Sequence, residues 1–212
     1  QDYNALIEFY WSPFLIDFDQ NHTSGKKVLV LEKLSPNFKQ WRGADVMIFN
    51  SGAWWTHTGK LKAWDLFQYK GQLFEDMPIE KAYDRAMKTW TKWVQKKVDS
   101  NKSTVFFQSI SAQHNQKQWC YNATQPFMDE SFEKTFPKSL TYIIESLIRG
   151  MSNPQVKYLN ITKLSEYRID AHSSIYWNKK FISSFADCIH WCLPGLPDTW
   201  NELLYASLYF YT

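Results

Sequence analysis

The chain has 212 residues, 44% of them hydrophobic, which is enough for one sizeable core and does not demand a second domain. Lys and Arg number 24 against 21 Asp and Glu, a net charge of +3. The basic residues are scattered apart from pairs such as Lys96-Lys97 and Lys179-Lys180, so nothing points to a nucleic acid or an anionic membrane. No apolar run reaches the roughly eighteen residues of a membrane span, and no basic-then-apolar leader opens the sequence.

Residues 3–10 read as a strand, broken at Pro13 before a polar loop. A short apolar strand follows over 28–31 and is turned away by Ser35-Pro36-Asn37. Residues 45–50 form a continuous apolar run ending in Asn50-Ser51-Gly52, the pattern of a parallel strand buried on both faces, whose carboxyl end is where α/β folds place ligands. The loop beyond it carries Trp54, Trp55, His57 and Gly59. Ile79, Ala82, Ala86, Trp90, Trp93, Val94 and Val98 recur at helical spacing, predicting an amphipathic helix over 78–98. A strand over 104–108 empties into a polar outlet ending at His114; a helix over 140–148 ends at Gly150; and a strand spans 156–161. Thr199 and Glu202 have the spacing of a capping box for a last helix running to about 208. Strands and helices alternating in this order predict an α/β fold with right-handed crossovers, and no internal repeat interrupts it.

The densest chemistry lies in residues 187–201, which hold Asp187, Cys188, His190, Trp191, Cys192 and a Pro194-Gly195 turn. Asp187 stands three residues before His190, a spacing at which a carboxylate can fix an imidazole's tautomer, as in two-thirds of a hydrolytic triad. Three cysteines cannot all pair within the chain. Cys188-x-His190-x-Cys192 is tight spacing for a zinc site, and disulfides are the better use: one of Cys188 and Cys192 bridging Cys120, the other pairing with a cysteine outside these residues. No metal or other bound cofactor is expected. Sequons at Asn21, Asn101, Asn122 and Asn160 suggest a glycoprotein of the secretory pathway. Aromatics make up 18% of the residues; Trp54, Trp55 and Trp191 suit either stacking on sugar rings or core packing, and His57 suits either an acceptor contact or a loop surface. His22, His114 and His172 carry no assignment.

Several blocks resemble the plant trichome birefringence-like proteins of the PC-esterase family. They are Phe9-Tyr10-Trp11-Ser12-Pro13-Phe14-Leu15, residues 50–59 from Asn-Ser-Gly to Thr-Gly, residues 159–168, and Asp187-Cys-Ile-His190-Trp-Cys192-Leu-Pro-Gly-Leu-Pro-Asp-Thr-Trp-Asn201. They occur in family order and span nearly the whole chain. The resemblance implies a three-layer α/β/α sheet related to SGNH/GDSL esterases, with residues 1–212 the C-terminal portion of a single catalytic domain. It implies a polysaccharide O-acetyltransferase of the Golgi lumen, held by an N-terminal membrane anchor and acting on cell-wall xylan or pectin. A polysaccharide acetylesterase and a non-catalytic glycan-binding relative are the alternatives. His190 is then the base and Asp187 its orienting acid. Asn50, with Gly52 as a backbone candidate, is either an oxyanion donor or a turn residue. The family's serine belongs to a Gly-Asp-Ser motif, a tripeptide these 212 residues do not contain. The expected partners are therefore an acetyl donor, a polysaccharide acceptor and an upstream segment of the same protein carrying that serine.

Overall fold

The computed structural model of the chain describes residues 3–114, 119–128, 138–174 and 186–210. Its elements run β1 (Ile16–Asp19), β2 (Val28–Leu34), α1 (Phe38–Trp41), β3 (Val46–Asn50), β4 (Leu66–Tyr69), β5 (Gln72–Phe74), α2 (Ile79–Lys97), β6 (Thr104–Gln108), α3 (Lys138–Arg149), β7 (Val156–Leu159), α4 (Thr162–Glu166), β8 (His172–Ser174), β9 (Asp187–Trp191) and α5 (Leu196–Tyr209). The α/β class with flanking helices agrees with the sequence. Among the described residues the strands are shared among sheets of four (β1-β2-β4-β5), three (β3-β6-β7) and two (β8-β9). The residues fall into two compact units, one of Gln1–Met47, Ser51–Val105 and Ile143–Val156, the other of Ile48–Asn50, Phe106–Tyr142 and Lys157–Thr212.

In the first unit β2 pairs antiparallel with β1 and parallel with β4. β4 turns back into β5 through Lys70-Gly71, both at positive φ (51° and 73°), the geometry of a tight hairpin turn that glycine accepts without strain. Helix α2 buries Ala82, Tyr83, Ala86, Met87, Trp90 and Val94, the face its periodicity predicted, and Thr89 Oγ1 donates to the Leu31 carbonyl of β2 at 2.7 Å. Phe14 sits edge-on to Trp55 and Trp64 at 5.3 and 5.5 Å between centroids, an aromatic core at the edge-to-face geometry such rings prefer.

Two expectations fail here. Residues 3–10 form no strand: Tyr3, Leu6, Ile7 and Phe9 are all exposed, and without a neighbouring strand to take its hydrogen bonds the β-prone composition has nothing to pair with. β3 is a strand, but its side chains alternate, with Met47 and Phe49 buried and Val46 and Ile48 exposed. It therefore has one buried face rather than two, and a continuous apolar run does not distinguish the cases.

In the second unit, hydrogen bonds tie together the carboxyl ends of β3, β6 and β7. Asn50 Nδ2 donates to the carbonyls of Gln108 (3.0 Å) and Ser109 (3.1 Å), and the Ser109 hydroxyl accepts from the backbone N–H groups of Ile161 (2.9 Å) and Thr162 (3.1 Å). Residues 187–191 are strand β9, antiparallel to β8 with His172 opposite Trp191 and Ser174 opposite Asp187. Helix α5 starts four residues earlier than the Thr199-Glu202 spacing suggested. Asp198 Oδ2 accepts from Gly195 N at 2.7 Å, which is half of a capping box, since glycine has no side chain to return the bond.

Candidate active site

β9 carries the site. Asp187 lies at its start, opposite Ser174, and the carboxylate turns along its own strand. Oδ1 accepts the backbone N–H groups of Ile189 (3.1 Å) and His190 (3.0 Å), while Oδ2 accepts His190 Nδ1–H at 2.9 Å. Three donors on one carboxylate leave it little freedom to rotate. Desolvation pushes the Asp187 pKa up, but the two backbone hydrogen bonds, then the side-chain bond and charge of His190, outweigh it and hold the carboxyl below its ordinary value. Asp187 is therefore an anion that fixes His190 with its proton on Nδ1, leaving the Nε2 lone pair as the reactive position. The His190 side chain is 80% exposed, so that nitrogen meets solvent or an incoming group.

The strand is anchored from behind. Cys188, between Asp187 and His190, is buried and joined to Cys120 by a disulfide with Cα atoms 5.5 Å apart. Cys192 is a free, exposed thiol, so of the two cysteines considered for Cys120 the structure selects Cys188. With Cys188 so bonded, Cys188-x-His190-x-Cys192 offers no thiolate pair, and no cluster of three or more metal-ligating side chains occurs among the described residues. Trp191 is half-buried. One face stacks on the His172 ring at 3.8 Å, Nε1 donates to Ser111 Oγ at 3.2 Å, and Trp200 meets it edge-on at 6.0 Å.

Two histidines without a sequence assignment lie under this strand. His172 Nδ1 contacts the carbonyl of His190 at 2.8 Å, His172 Nε2 contacts His114 Nδ1 at 2.7 Å, and His114 Nε2 contacts the carbonyl of Glu166 at 3.0 Å. Both rings are buried. Burial is the chief cause of a lowered pKa at His114 and pushes His172 down to about 4, where positive charge on His114 and His190 adds to the depression. Their sequence signal was faint: His114 ends the polar outlet of β6, and His172 sits in a segment without periodicity.

The other candidates are placed as follows. Asn50 spends both amide hydrogens on Gln108 and Ser109, which makes it a clasp between strand ends in this structure. No hydrogen bond joins it to Asp187 or His190 among the described residues. Gly52 has φ 148°, a conformation few side chains allow, and its carbonyl accepts Trp55 N at 3.0 Å. Trp55 is core: 1% exposed, with Nε1 donating to Ser51 Oγ at 3.0 Å, it leaves no ring face for a sugar. Trp54 is half-buried, edge-on to Trp11 at 5.6 Å and tilted against His57 at 5.0 Å. The buried Nδ1 of His57 has no partner among the described residues. Asn21, Asn101, Asn122 and Asn160 are all exposed.

Comparison with known proteins agrees with this picture. The family described as a GDSL/SGNH-like acyl-esterase family found in Pmr5 and Cas1p, PC-Esterase, matches residues 1–207. Protein trichome birefringence of Arabidopsis thaliana is 40% identical over 225 residues, covering 98% of this chain and 36% of that protein. Protein trichome birefringence-like 40 of the same plant is 40% identical over 215 residues, covering 98% and 57%. Probable xylan O-acetyltransferase 8 of Oryza sativa subsp. japonica is 36% identical over 231 residues, covering 98% and 52%. The chain thus spans between about a third and somewhat over half the length of these relatives.

Proposed function

Because the chain belongs to the PC-esterase family of GDSL/SGNH-like acyl esterases, we propose that the protein it forms or belongs to transfers acetyl groups to hydroxyls of a plant cell-wall polysaccharide, with xylan the first acceptor to test. The observation that carries the reading is the Asp187–His190 dyad, held at 2.9 Å on a strand matched by a relative named a xylan O-acetyltransferase.

The chemistry is a double displacement. Nε2 of His190 takes the proton of a serine hydroxyl as its oxygen attacks the acetyl carbonyl of the donor, and the resulting imidazolium gives that proton to the departing donor group. The glycan hydroxyl then attacks the acetyl-serine, its proton passes to Nε2, and from there to the serine oxygen as the ester bond breaks. Asp187 stays ionised throughout and stabilises the imidazolium. In this proposal the serine comes from a Gly-Asp-Ser segment outside the 212 residues. Each half-reaction needs hydrogen-bond donors for its oxyanion, and Asn50 would have to release its two carbonyls to serve as one. The outer face of Trp191 is the proposed sugar contact.

We further propose that the protein works in the Golgi lumen, held by a membrane anchor. The buried disulfide and four exposed sequons support an oxidising, glycosylating compartment. No helix among the described residues is long and apolar enough to cross a membrane. The sequons are tested by a mass decrease of the protein isolated from plant cells on treatment with an N-glycan-releasing enzyme.

For the reaction, the full-length protein is incubated with an acetyl donor and xylan oligosaccharides, and acetylated product is counted by mass spectrometry. His190→Ala is expected to lower the rate by roughly 10²–10⁴-fold. Undiminished transfer by that variant would sink the dyad's role. Release of free acetate from acetylated xylan, without transfer, would make the protein an esterase on the same groups.

A further inference from the structure

The contact between His114 and His172 cannot be made by two neutral rings. The carbonyl of Glu166 carries no hydrogen, so His114 Nε2, 3.0 Å away, must donate to it; the carbonyl of His190 likewise requires a hydrogen on His172 Nδ1 at 2.8 Å. A neutral imidazole has a single N–H, and both are now spent. The facing atoms, His114 Nδ1 and His172 Nε2, would then present two bare lone pairs to each other at 2.7 Å, a distance characteristic of a charge-assisted hydrogen bond.

We propose that His114 and His172 hold one proton between them, and that His172, so charged and oriented, is a positioning residue for His190. The proton comes from water and brings the pair to three hydrogens on four ring nitrogens. The chain of bonds then has a single sense: His114 Nε2–H to the Glu166 carbonyl, the shared proton between the rings, and His172 Nδ1–H to the backbone of the residue whose side chain is the base. Loss of the shared proton forces the rings apart or frees one carbonyl, and the carbonyl on β9 belongs to His190 itself. This role rests on the reading of His190 as the base.

Burial resists charge on the pair, and its neighbours offset part of that for one proton. Trp191 stacks on His172 at 3.8 Å and 22°, offering its ring face to a cation. Two carboxylates act on the pair: Asp187 on β9 acts on His172, and Asp170, itself paired with Arg168, acts on His114. Glu166 on α4 meets His114 through its backbone carbonyl, and its carboxylate lies 3.7 Å from Lys163 Nζ. Against a second proton stand burial and the charge of the first, which is why His172 falls to about 4, and His190 adds its own positive charge when protonated.

The test is a count of ring hydrogens by long-range proton–nitrogen NMR on the chain labelled at histidine nitrogens and titrated from about pH 8 downward. We expect a plateau at which three of the four nitrogens of His114 and His172 carry hydrogen. Two hydrogens giving way to fully protonated rings with no plateau at three would overturn the proposal. His172→Asn keeps a donor where Nδ1 stood, whereas His172→Phe keeps the stack on Trp191 and removes the donor. The His190 Nδ1–H signal should survive in the first and exchange roughly tenfold faster or more in the second. Equal behaviour of the two variants would overturn the positioning role. Should His172→Phe fail to fold, the count on the unaltered chain still decides the shared proton. Neither measurement depends on acetyl transfer, so failure of the proposed reaction would leave these results readable.

Discussion

Asp187 is the residue on which the candidate chemistry turns, because it spends one oxygen on backbone and the other on the His190 ring. Asp187→Asn separates these duties. The amide oxygen can still accept the Ile189 and His190 N–H groups, but its NH₂ faces Nδ1 and forces the opposite tautomer, with hydrogen on Nε2. In the full-length protein this variant should fold normally and lose roughly 10³–10⁴-fold in transfer rate, seen as kcat falling with little change in KM. At the buried histidine the pH dependence has a definite sign. Beyond the proton the pair shares, the folded pKa of His172 is depressed to about 4 from an ordinary value near 6.5, so the unfolded chain takes up this further proton first on acidification. The stability it contributes is complete above about 6.5 and lost as pH falls toward 4, at most about 3 kcal/mol. Urea unfolding at stepped pH should show that slope, and His172→Asn should flatten it. These residues were unequally legible: the three-residue spacing exposed Asp187 and His190, whereas the meeting of His114 and His172 requires positions 58 apart to come together.

The elements explain why a short segment can hold its geometry. β9 runs directly into α5 through Cys192, Leu193, Pro194 and Gly195, and Gly195 fits where nothing larger can: a Cβ there would lie 2.7 Å from the Cys192 carbonyl oxygen. Backbone cannot give way as a flexible side chain can, so Gly195→Ala should cost on the order of 1–3 kcal/mol in thermal or urea unfolding. The helix start adds a second handle. Asp198→Ala removes the acceptor for Gly195 N and should cost about 1 kcal/mol, whereas Thr199→Ala, at the position the sequence favoured for the cap, should cost less. The sequence placed α2 within a residue at each end because its apolar period is long and regular. It missed the β8-β9 pairing because strands this short, rich in polar and half-exposed residues, leave too little pattern to read.

For the molecule as a whole, the Cys120–Cys188 bridge closes a separation of 68 residues, for which chain entropy gives about 4 kcal/mol of stabilisation. Cys120→Ala with Cys188→Ala should lower unfolding free energy by up to that amount, while Cys192→Ala, at an exposed free thiol, should change it by less than about 0.5 kcal/mol. A reversed order in chemical denaturation would mean the pairing is wrong. By itself the sequence determined the α/β class, the long helix, the family and the Asp187–His190 pair, because local spacing and unbroken periodicity write those directly into the chain. The tertiary structure alone decided which cysteine Cys120 takes, that Trp55 is core and Asn50 a clasp, and that two buried histidines meet beneath β9. Each of these depends on which distant groups share a small volume, and with them on which hydrogens and lone pairs must be satisfied there.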